Sequence, residues 1–204
     1  MNTSPFPSIA EFYNRRVGEF GHDPRACDYG RAESQRRKFR ALSTALDYTG
    51  RSVLDVGCGF ADYADHLAEH HTEVRYAGVD LSAAMIERAR AAHPSFDLRV
   101  GNLLEEPADE LHDIVSANGI FYLLGAEAPL LMQRLVGAMY ARCREAVIFN
   151  SLSTWATVQE PGEFYADPLA TVAWCRELSP WVMLRHDYLP HDFTIVIRRE
   201  KAAL

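Results

Sequence analysis

The sequence has no long apolar run and no basic leader that precedes one. Its apolar stretches fall well short of the roughly 18 consecutive residues that a membrane-spanning helix requires. The first residues, MNTSPFPSIAEFYNRR, have neither the charged nor the apolar region of a secretory signal. We therefore expect no membrane partner and a cytoplasmic location.

An excess of positive charge is also missing. The chain has 21 Lys and Arg residues against 28 Asp and Glu residues, so its formal net charge is -7. Nucleic-acid binding depends on a basic surface, because it neutralises phosphates. This balance argues against a nucleic-acid partner.

Neither the cysteines nor the histidines form a convincing metal-ligand set. The four cysteines are far apart and form no CxxC pair: Cys27, Cys58, Cys143 and Cys175. This spacing is typical of free thiols in a cytosolic protein. His66 and His70 are one helical turn apart, and His71 is adjacent. A solvated polar helix face explains these histidines better than a binding site, so we expect no metal.

The apolar pattern predicts an alternation of strands and helices after two N-terminal helices at 8–20 and 32–48. Short apolar runs predict five strands, at 52–56, 74–80, 96–101, 112–118 and 145–150. Because helical segments separate most of them, we expect a parallel sheet with helices on both faces.

The end of the chain breaks this alternation. Two further strand patterns, at 181–189 and 192–199, are separated by only two residues, and strands that close must pair antiparallel. At 204 residues and 48% hydrophobic composition, the chain suits one domain. We predict a single domain over 1–204, with a helical lid at 1–48. The core, at 49–204, is a doubly wound, mostly parallel seven-stranded α/β sheet that ends in an antiparallel hairpin.

A glycine turn follows the first predicted strand and opens a helix. In this turn, Gly57-Cys58-Gly59, glycine permits positive φ and a close approach to a ligand. Dinucleotide sites use GxGxxG, but Asp62 stands where the third glycine belongs. Asp55 precedes the turn, and its charge repels phosphates and attracts a cation such as a sulfonium. Both features argue against the alternative of an NAD-type oxidoreductase.

Polar residues also follow the next strands. Asp80 ends the second strand, where an acid can accept both hydroxyls of a ribose. Asn102 and Leu103 follow the third strand and can meet the edge and face of an adenine. Asn118 and Gly119 follow the fourth, at the sheet edge where folds of this type bind ligands.

Together these segments resemble the class I S-adenosylmethionine-dependent methyltransferases. LDVGCG is similar to the first motif of that family, GVDLSxxM to its ribose-binding motif, and the NL and NGIFYLL segments fall at its adenine and fourth-motif positions. The resemblance implies that the cofactor is S-adenosylmethionine. It places Asp55, Gly57, Cys58 and Gly59 along the methionine part, Asp80 at the ribose, Leu81 and Met85 beside the adenine, Asn102 and Leu103 against it, and Asn118 and Gly119 under the methionine end. Two departures are Asn102, where many members carry Asp, and Ala61, where a third glycine is frequent.

The loop between the two N-terminal helices, GHDPRACDYG, could close as a lid. The segment YGRAESQ after it resembles the N-terminal stretch of small-molecule methyltransferases, in which a Tyr and a Gln reach the cofactor's carboxylate or methyl group; here these are Tyr29 and Gln35. If the nucleophile arrives protonated, a general base is needed, and our candidates are His22, Tyr29 and Tyr122. Other residues that could roof the site are Tyr13, Arg36, Trp155, Tyr165, His186 and His191.

The resemblance implies methyl transfer to an O, N or C atom of a small metabolite. The fourth motif is not the N-P-P-Y type of the nucleic-acid and protein amide methyltransferases, and the aromatic residues within 151–166 suit an apolar acceptor pocket. Two alternatives stay open: a regulatory protein that binds the cofactor without turnover, and a methyltransferase that acts on protein or RNA. The sequence does not indicate an oligomeric state.

Overall fold

A computed structural model describes residues 4–200. The helices are α1 Phe6–Phe20, α2 Ala32–Ser43, α3 Asp62–His70, α4 Ala83–Ala92, α5 Ala128–Ala141 and α6 Pro168–Leu178. The strands are β1 Ser52–Val56, β2 Arg75–Asp80, β3 Asp97–Val100, β4 His112–Ala117, β5 Cys143–Leu152, β6 Trp181–Leu189 and β7 Asp192–Arg198. Residues 1–3 and 201–204 of the predicted domain lie outside the described residues.

All seven strands form one sheet in the order β3-β2-β1-β4-β5-β7-β6. Strands β1 to β5 pair in parallel, whereas β7 runs antiparallel to both β5 and β6. This confirms the doubly wound sheet and its closing hairpin. The strand order reverses beside β1, whose neighbours are β2 on one side and β4 on the other, and such a reversal opens a crevice at the carboxyl ends of the strands.

The central strands β1, β4, β5 and β7 are buried on both faces, as a parallel sheet with helices on each side requires. Side chains alternate along a strand, and neighbouring residues accordingly enter different cores. In β1, Val53 packs into the core that contains α3, while Leu54 packs into the core that contains α5. In β4, Ile114 and Val115 divide in the same way.

The two N-terminal helices pack in different places. Phe39 and Leu42 of α2 are buried in the core on the α3 side, so α2 belongs to the helical layer of the sheet. Helix α1 and the following loop instead cover the strand ends, because Val17 and Ala26 pack against Phe60 after β1 and against Met85 in α4. In the predicted 1–48 lid, residues 6–31 therefore form the covering part.

Two sequence predictions concern features that the structure describes directly. The four cysteines are all unpaired thiols. Within residues 4–200, no helix combines the length and the apolarity needed to cross a membrane.

Helix α1 is tied to the start of α4 by Asn14. The Asn14 Oδ1 accepts hydrogen bonds from the Ser82 Oγ (2.7 Å) and the Ala84 amide (3.2 Å). Ser82 itself caps α4 by accepting from the Met85 amide at 3.1 Å, as serine often does at the start of a helix. A single lid side chain therefore holds α1 against the end of β2.

Replacing Asn14 with Ala should loosen this contact. Loss of two partly exposed hydrogen bonds should cost about 1 kcal/mol of local stability. We expect amide hydrogen exchange to accelerate across residues 6–20 while β1 and β4 stay protected. Glu11→Ala, a change at an exposed position of the same helix, is the control. Equal exchange in both variants would show that Asn14 does not hold the lid.

Candidate active site

A cavity of about 310 Å³ lies at the strand ends where the sheet order reverses, beneath α1 and the loop that follows it. It collects residues from widely separated parts of the chain. Every residue predicted to hold the cofactor lines it: Gln35, Asp55, Gly57, Cys58, Gly59, Asp80, Leu81, Met85, Asn102, Leu103, Asn118 and Gly119. Tyr29 and Tyr122 line it as well.

The glycine turn after β1 has a conformation that requires glycine. Gly57 has a φ of 73°, and its amide donates to the Val79 carbonyl at 2.7 Å. A Cβ at Gly57 would lie 2.3 Å from the Ile120 Cγ2, well inside van der Waals contact. Gly59 also has positive φ, at 55°. The turn thus brings its backbone against the wall of the cavity without a side chain in between.

Asp80 is a buried carboxylate at the end of β2. Its Oδ2 accepts from the Gly59 amide and its Oδ1 from the Ser82 amide, both at 2.8 Å. Burial raises the pKa of Asp80, and these backbone hydrogen bonds counteract that effect. Each oxygen keeps a second lone pair, so the carboxylate can still accept two hydroxyl groups from a ligand.

Asp55 is buried between two hydroxyl groups. Its Oδ2 accepts from the Tyr76 hydroxyl at 2.6 Å and its Oδ1 from the Ser116 hydroxyl at 2.8 Å. Desolvation raises its pKa to about 6 despite these bonds. Asp55 therefore contributes negative charge to the cavity floor, while its oxygens are held by the neighbouring strands.

The turn after β3 supplies the next part of the wall. The Asn102 Oδ1 accepts from the Leu104 amide at 3.1 Å, and its Nδ2 donates to the Glu105 Oε1 at 2.8 Å. Leu103 is buried beside it. These bonds give Asn102 a part in holding its own turn, in addition to its place in the cavity lining.

Asn118 connects the lid to the end of the sheet. Its Nδ2 donates to the Tyr29 hydroxyl at 3.0 Å, and its Oδ1 accepts from the Asn150 Nδ2 at 2.8 Å. Asn150 also accepts from the Gly119 amide at 2.7 Å. The buried Asn150 thereby fixes the turn after β4. It also fixes the orientation of the Asn118 side-chain amide, which donates to the Tyr29 hydroxyl.

The bonds of Asn150 continue to a buried ion pair. Its Nδ2 also donates to the Asp192 Oδ1 at 3.0 Å. The Asp192 Oδ2 lies 2.7 Å from the Lys38 Nζ, and the Asp192 side chain is only 1% exposed. The Lys38 Nζ in turn lies 5.7 Å from the centre of the Tyr29 ring. These residues, together with Asn118, form a closed ring of contacts at one end of the cavity.

A second polar cluster joins the lid to the residues after β4. The Tyr122 hydroxyl donates to the Asp28 Oδ2 at 2.8 Å. It also lies 2.8 Å from the Tyr13 hydroxyl. The Asp28 Oδ1 pairs with the Arg16 Nη2 at 2.9 Å. Tyr13, Asp28 and Tyr122 all line the cavity, whereas Arg16 does not.

His22 is the one candidate base that the structure does not bring into the cavity wall. Its ring packs on Phe60 with the centroids 4.3 Å apart, and its Nε2 lies 2.7 Å from the Asp62 Oδ1. Asp62 does line the cavity, and its Oδ2 accepts from the Gln35 Nε2 at 3.4 Å. His22 therefore reaches the site through Asp62 and Phe60, which both line the cavity, and we do not assign it the role of a base.

The other candidates that could roof the site divide into two groups. Tyr13 and His191 line the cavity, whereas Arg36, Trp155, Tyr165 and His186 do not. Trp155 is half exposed and packs on His186, with the ring centroids 4.9 Å apart. His66, Glu69 and His70 place possible ligand atoms within 4.8 Å of one another on α3, away from the cavity, and two of the three are exposed.

Sequence reasoning missed several cavity residues. Asp28, Lys38 and Asp192 occur in no recognisable motif, since each depends on a partner distant in the chain. Asn150 could have been found, because the strand predicted at 145–150 ends on it and the carboxyl ends of parallel strands meet at one edge. The same rule had already selected Asp80 and Asn118.

Comparison with known proteins identifies the family. A family model described as a methyltransferase domain matches residues 53–140. A putative methyltransferase of Mycobacterium tuberculosis is 30% identical over 157 residues, which are 72% of this chain and 93% of that protein. The chain belongs to the class I S-adenosylmethionine-dependent methyltransferases. The cofactor of this family is S-adenosylmethionine.

Two further relatives of this methyltransferase have more specific names. A trans-aconitate 2-methyltransferase of Rhodopseudomonas palustris is 34% identical over 89 residues, which are 44% of this chain and 34% of that enzyme. A ribosomal RNA small subunit methyltransferase H of Kineococcus radiotolerans is 31% identical over 136 residues, which are 62% of this chain and 34% of that enzyme. Their named substrates differ in kind, so these matches do not define the acceptor of this chain.

Solved structures share the fold. The magnesium protoporphyrin IX methyltransferase of Synechocystis PCC 6803, with S-adenosylhomocysteine bound, superposes with a TM-score of 0.69 at 11% identity, covering 95% of this chain and 99% of that one. The methyltransferase therefore has the predicted seven-stranded architecture of its family.

The raised pKa of Asp55 predicts a pH dependence of stability. Its ordinary value is 3.8 and its folded value about 6, so the folded state holds more protons between these pH values. The contribution of Asp55 to the free energy of unfolding is therefore fully present below pH 4 and is lost as the pH rises through 6. The total loss is about 3 kcal/mol at most. Asp55→Asn has no proton to lose. We expect the free energy of unfolding of Asp55→Asn, relative to that of the parent, to increase between pH 4 and pH 7.

Urea unfolding at several pH values measures this difference. The exposed Asp97 on β3 offers a matched control, and Asp97→Asn should give a curve parallel to the parent's. Any lost hydrogen bond in Asp55→Asn shifts its curve by an offset, whereas the prediction concerns the slope. Parallel curves for Asp55→Asn and the parent would contradict the proposed burial effect.

Proposed function

We propose that this methyltransferase transfers the methyl group of S-adenosylmethionine to an O, N or C atom of a small metabolite. The observation that carries the proposal is the covered cavity. Tyr13, Asp28 and Tyr29 of the lid region hydrogen-bond directly to Tyr122 and Asn118 at the sheet edge. Beneath these contacts lies a partly open cavity of about 310 Å³, a volume typical of sites for small ligands.

The residues around the cavity suit the cofactor chemically. Asp80 offers two free lone pairs where a ribose diol needs acceptors, and Asp55 adds negative charge that favours a sulfonium. Gly57 and Gly59 leave their backbone uncovered, while Leu103 and Met85 provide apolar surface for a purine. We propose cofactor contacts for these and for the remaining predicted residues: Gln35, Cys58, Leu81, Asn102, Asn118 and Gly119.

When bound, S-adenosylmethionine supplies an electrophilic methyl carbon on a sulfonium. The chain's own contribution is placement in a dry pocket, which accounts for much of the catalysis in such displacements. The lid covers part of the cavity, where the Tyr13 and Tyr122 hydroxyls lie 2.8 Å apart across the strand ends. Asn150 keeps Asn118 and Gly119 in a fixed geometry before any ligand arrives.

Tyr29 and Tyr122 have different proposed roles. Burial raises the pKa of both phenols well above the ordinary value, so each stays protonated at neutral pH. Tyr29 accepts from Asn118, which leaves its own proton available for an acceptor or for the cofactor. Tyr122 donates to Asp28 and can pass a proton from an acceptor to that carboxylate. Neither tyrosine acts as a preformed phenolate base.

Two alternative functions have specific tests. The ribosomal RNA relative raises the possibility of an RNA acceptor, which the net charge of -7 and the covered cavity disfavour. A regulatory protein would bind the cofactor in the same way without turnover. Formation of S-adenosylhomocysteine with a panel of small acceptors, compared with RNA and protein extracts, distinguishes these functions from the proposed one.

Calorimetric titration of the protein with S-adenosylhomocysteine tests the ribose contact. Asp80→Ala leaves the ribose hydroxyls without their hydrogen-bond acceptor. We therefore expect the binding free energy to weaken by about 1–3 kcal/mol, which corresponds to a roughly fivefold to 150-fold loss of affinity. Asp97→Ala, at an exposed position of β3, should bind like the parent, and NAD should not bind.

Asp80 also accepts two backbone hydrogen bonds, so its removal can loosen the glycine turn. The melting temperature of each variant must therefore be measured alongside binding. Unchanged affinity in a folded Asp80→Ala variant would rule out the ribose role. Failure of the parent to bind S-adenosylhomocysteine would contradict the proposed cofactor site as a whole.

A further inference from the structure

The charged side chains of the cavity wall are mostly acidic. Six carboxyl groups line it: Asp28, Asp55, Asp62, Asp80, Glu163 and Asp192. Among the described residues that line it, the basic side chains are Lys38 and His191. The cofactor accounts for part of this imbalance through its sulfonium, but Asp28 and Glu163 lie on the lid and on the 153–166 loop, away from the predicted cofactor motifs.

Lys38, the lysine of the cavity wall, is already paired with a carboxylate and is not available to bind an anionic ligand. Its Nζ lies 2.7 Å from the Asp192 Oδ2, and the two side chains are 10% and 1% exposed. Breaking such a buried ion pair leaves an uncompensated buried charge, which is strongly unfavourable. Burial lowers the pKa of His191, and Lys38 lowers it further, so this ring is neutral at pH 7. An anionic acceptor therefore meets no free cation among the described residues of the wall.

Asp28 and the loop that carries Glu163 both form a hydrogen bond with Tyr122. Asp28 accepts from the Tyr122 hydroxyl at 2.8 Å. The loop that carries Glu163 is fixed to Tyr122 by the bond from the Phe164 amide to the Tyr122 carbonyl, also 2.8 Å. The Glu163 Oε2 accepts from the Tyr165 hydroxyl at 2.6 Å. Arg16 offsets part of the Asp28 charge from outside the cavity wall. Glu163 forms no ion pair among the described residues, and the basic side chain that its charge reaches is the neutral His191.

We propose that the methyl acceptor is an amine, which enters as an ammonium between Asp28, Glu163 and the Tyr13 and Tyr122 side chains. This rests on the proposed function and names its substrate class. Carboxylates in a poorly hydrated cavity attract an ammonium, and aromatic faces add a favourable interaction with the same cation.

The atoms and electrons of the transfer balance with groups already present. Before the transfer, the ammonium loses one proton to the Asp28 carboxylate, directly or through the Tyr122 hydroxyl that donates to it. The nitrogen lone pair then forms the new N–C bond, and the electrons of the broken C–S bond stay on sulfur. The products are the N-methylated ammonium and S-adenosylhomocysteine.

Binding to the protein saturated with S-adenosylhomocysteine tests the acceptor class without turnover. Two matched probe pairs differ mainly in charge: phenethylamine with phenylacetate, and butylamine with butyrate. In calorimetric titrations we expect at least one amine to bind at least about tenfold more tightly than its acid partner. Tighter or equal binding of the acids would overturn the proposal, and it is the result expected if the acceptor is a carboxylate, as the name of the trans-aconitate relative suggests. Absence of amine binding would overturn it as well.

Variants connect the binding to the named acids. Glu163→Gln should weaken amine binding about tenfold while the affinity for S-adenosylhomocysteine stays unchanged. Asp28→Asn should weaken amine binding by a similar factor. Glu87→Gln, an exposed change on α4, should alter neither. Because Asp28 also holds the lid, Glu163→Gln is the decisive variant, and unchanged amine binding in it would contradict the proposal. With a methylated amine identified, Glu163→Gln should raise KM more than it lowers kcat, whereas Asp28→Asn should lower kcat as well, because it removes the proposed proton acceptor. If the parent fails to bind S-adenosylhomocysteine, the proposed function fails first.

Discussion

The reversal of strand order beside β1 is the constraint on which the rest of the structure depends. Because β2 and β4 flank β1 on opposite sides, the chain leaves β1 and β4 toward different faces of the sheet, and their carboxyl ends border an open crevice. The glycine turn, Asp80 and Asn118 lie together for this reason alone. A crevice of this kind exposes unsatisfied backbone and apolar surface, and α1 with its loop covers it.

The cover is attached by polar contacts at four separate places. Asn14 bonds to the start of α4, Tyr29 to Asn118, Asp28 to Tyr122, and His22 to Asp62. Apolar packing of Val17 against Met85 and Phe60 adds to them. A few hydrogen bonds, each worth about 1 kcal/mol net, can be broken and remade far more readily than the sheet itself. The attachment is therefore suited to opening for ligand exchange while the strand ends stay in place.

The sequence predicts those features that depend on local chemistry. A strand followed by Gly57-Cys58-Gly59, and an acid at Asp80, can be recognised without knowledge of the fold, and both lie where expected. The ring through Lys38, Asp192 and Asn150 could not be predicted, because its members come from α2, β7 and β5 and meet only after the sheet has formed. His22 shows a different limit of spacing: its loop lies at the cavity, but its ring packs on Phe60 and does not line the cavity, and sequence spacing does not reveal that packing partner.

The acidity of the cavity has an energetic cost that points to its ligands. Desolvation raises the pKa of both Asp55 and Asp80, so their charged forms weaken the folded state at neutral pH. Neutral or apolar side chains at these positions would avoid that cost. A cation bound in the cavity lowers the energy of the ionised carboxylates and recovers the lost stability as binding free energy. Because Lys38 is already paired with Asp192, this stabilisation of Asp55 and Asp80 has to come from a positively charged ligand.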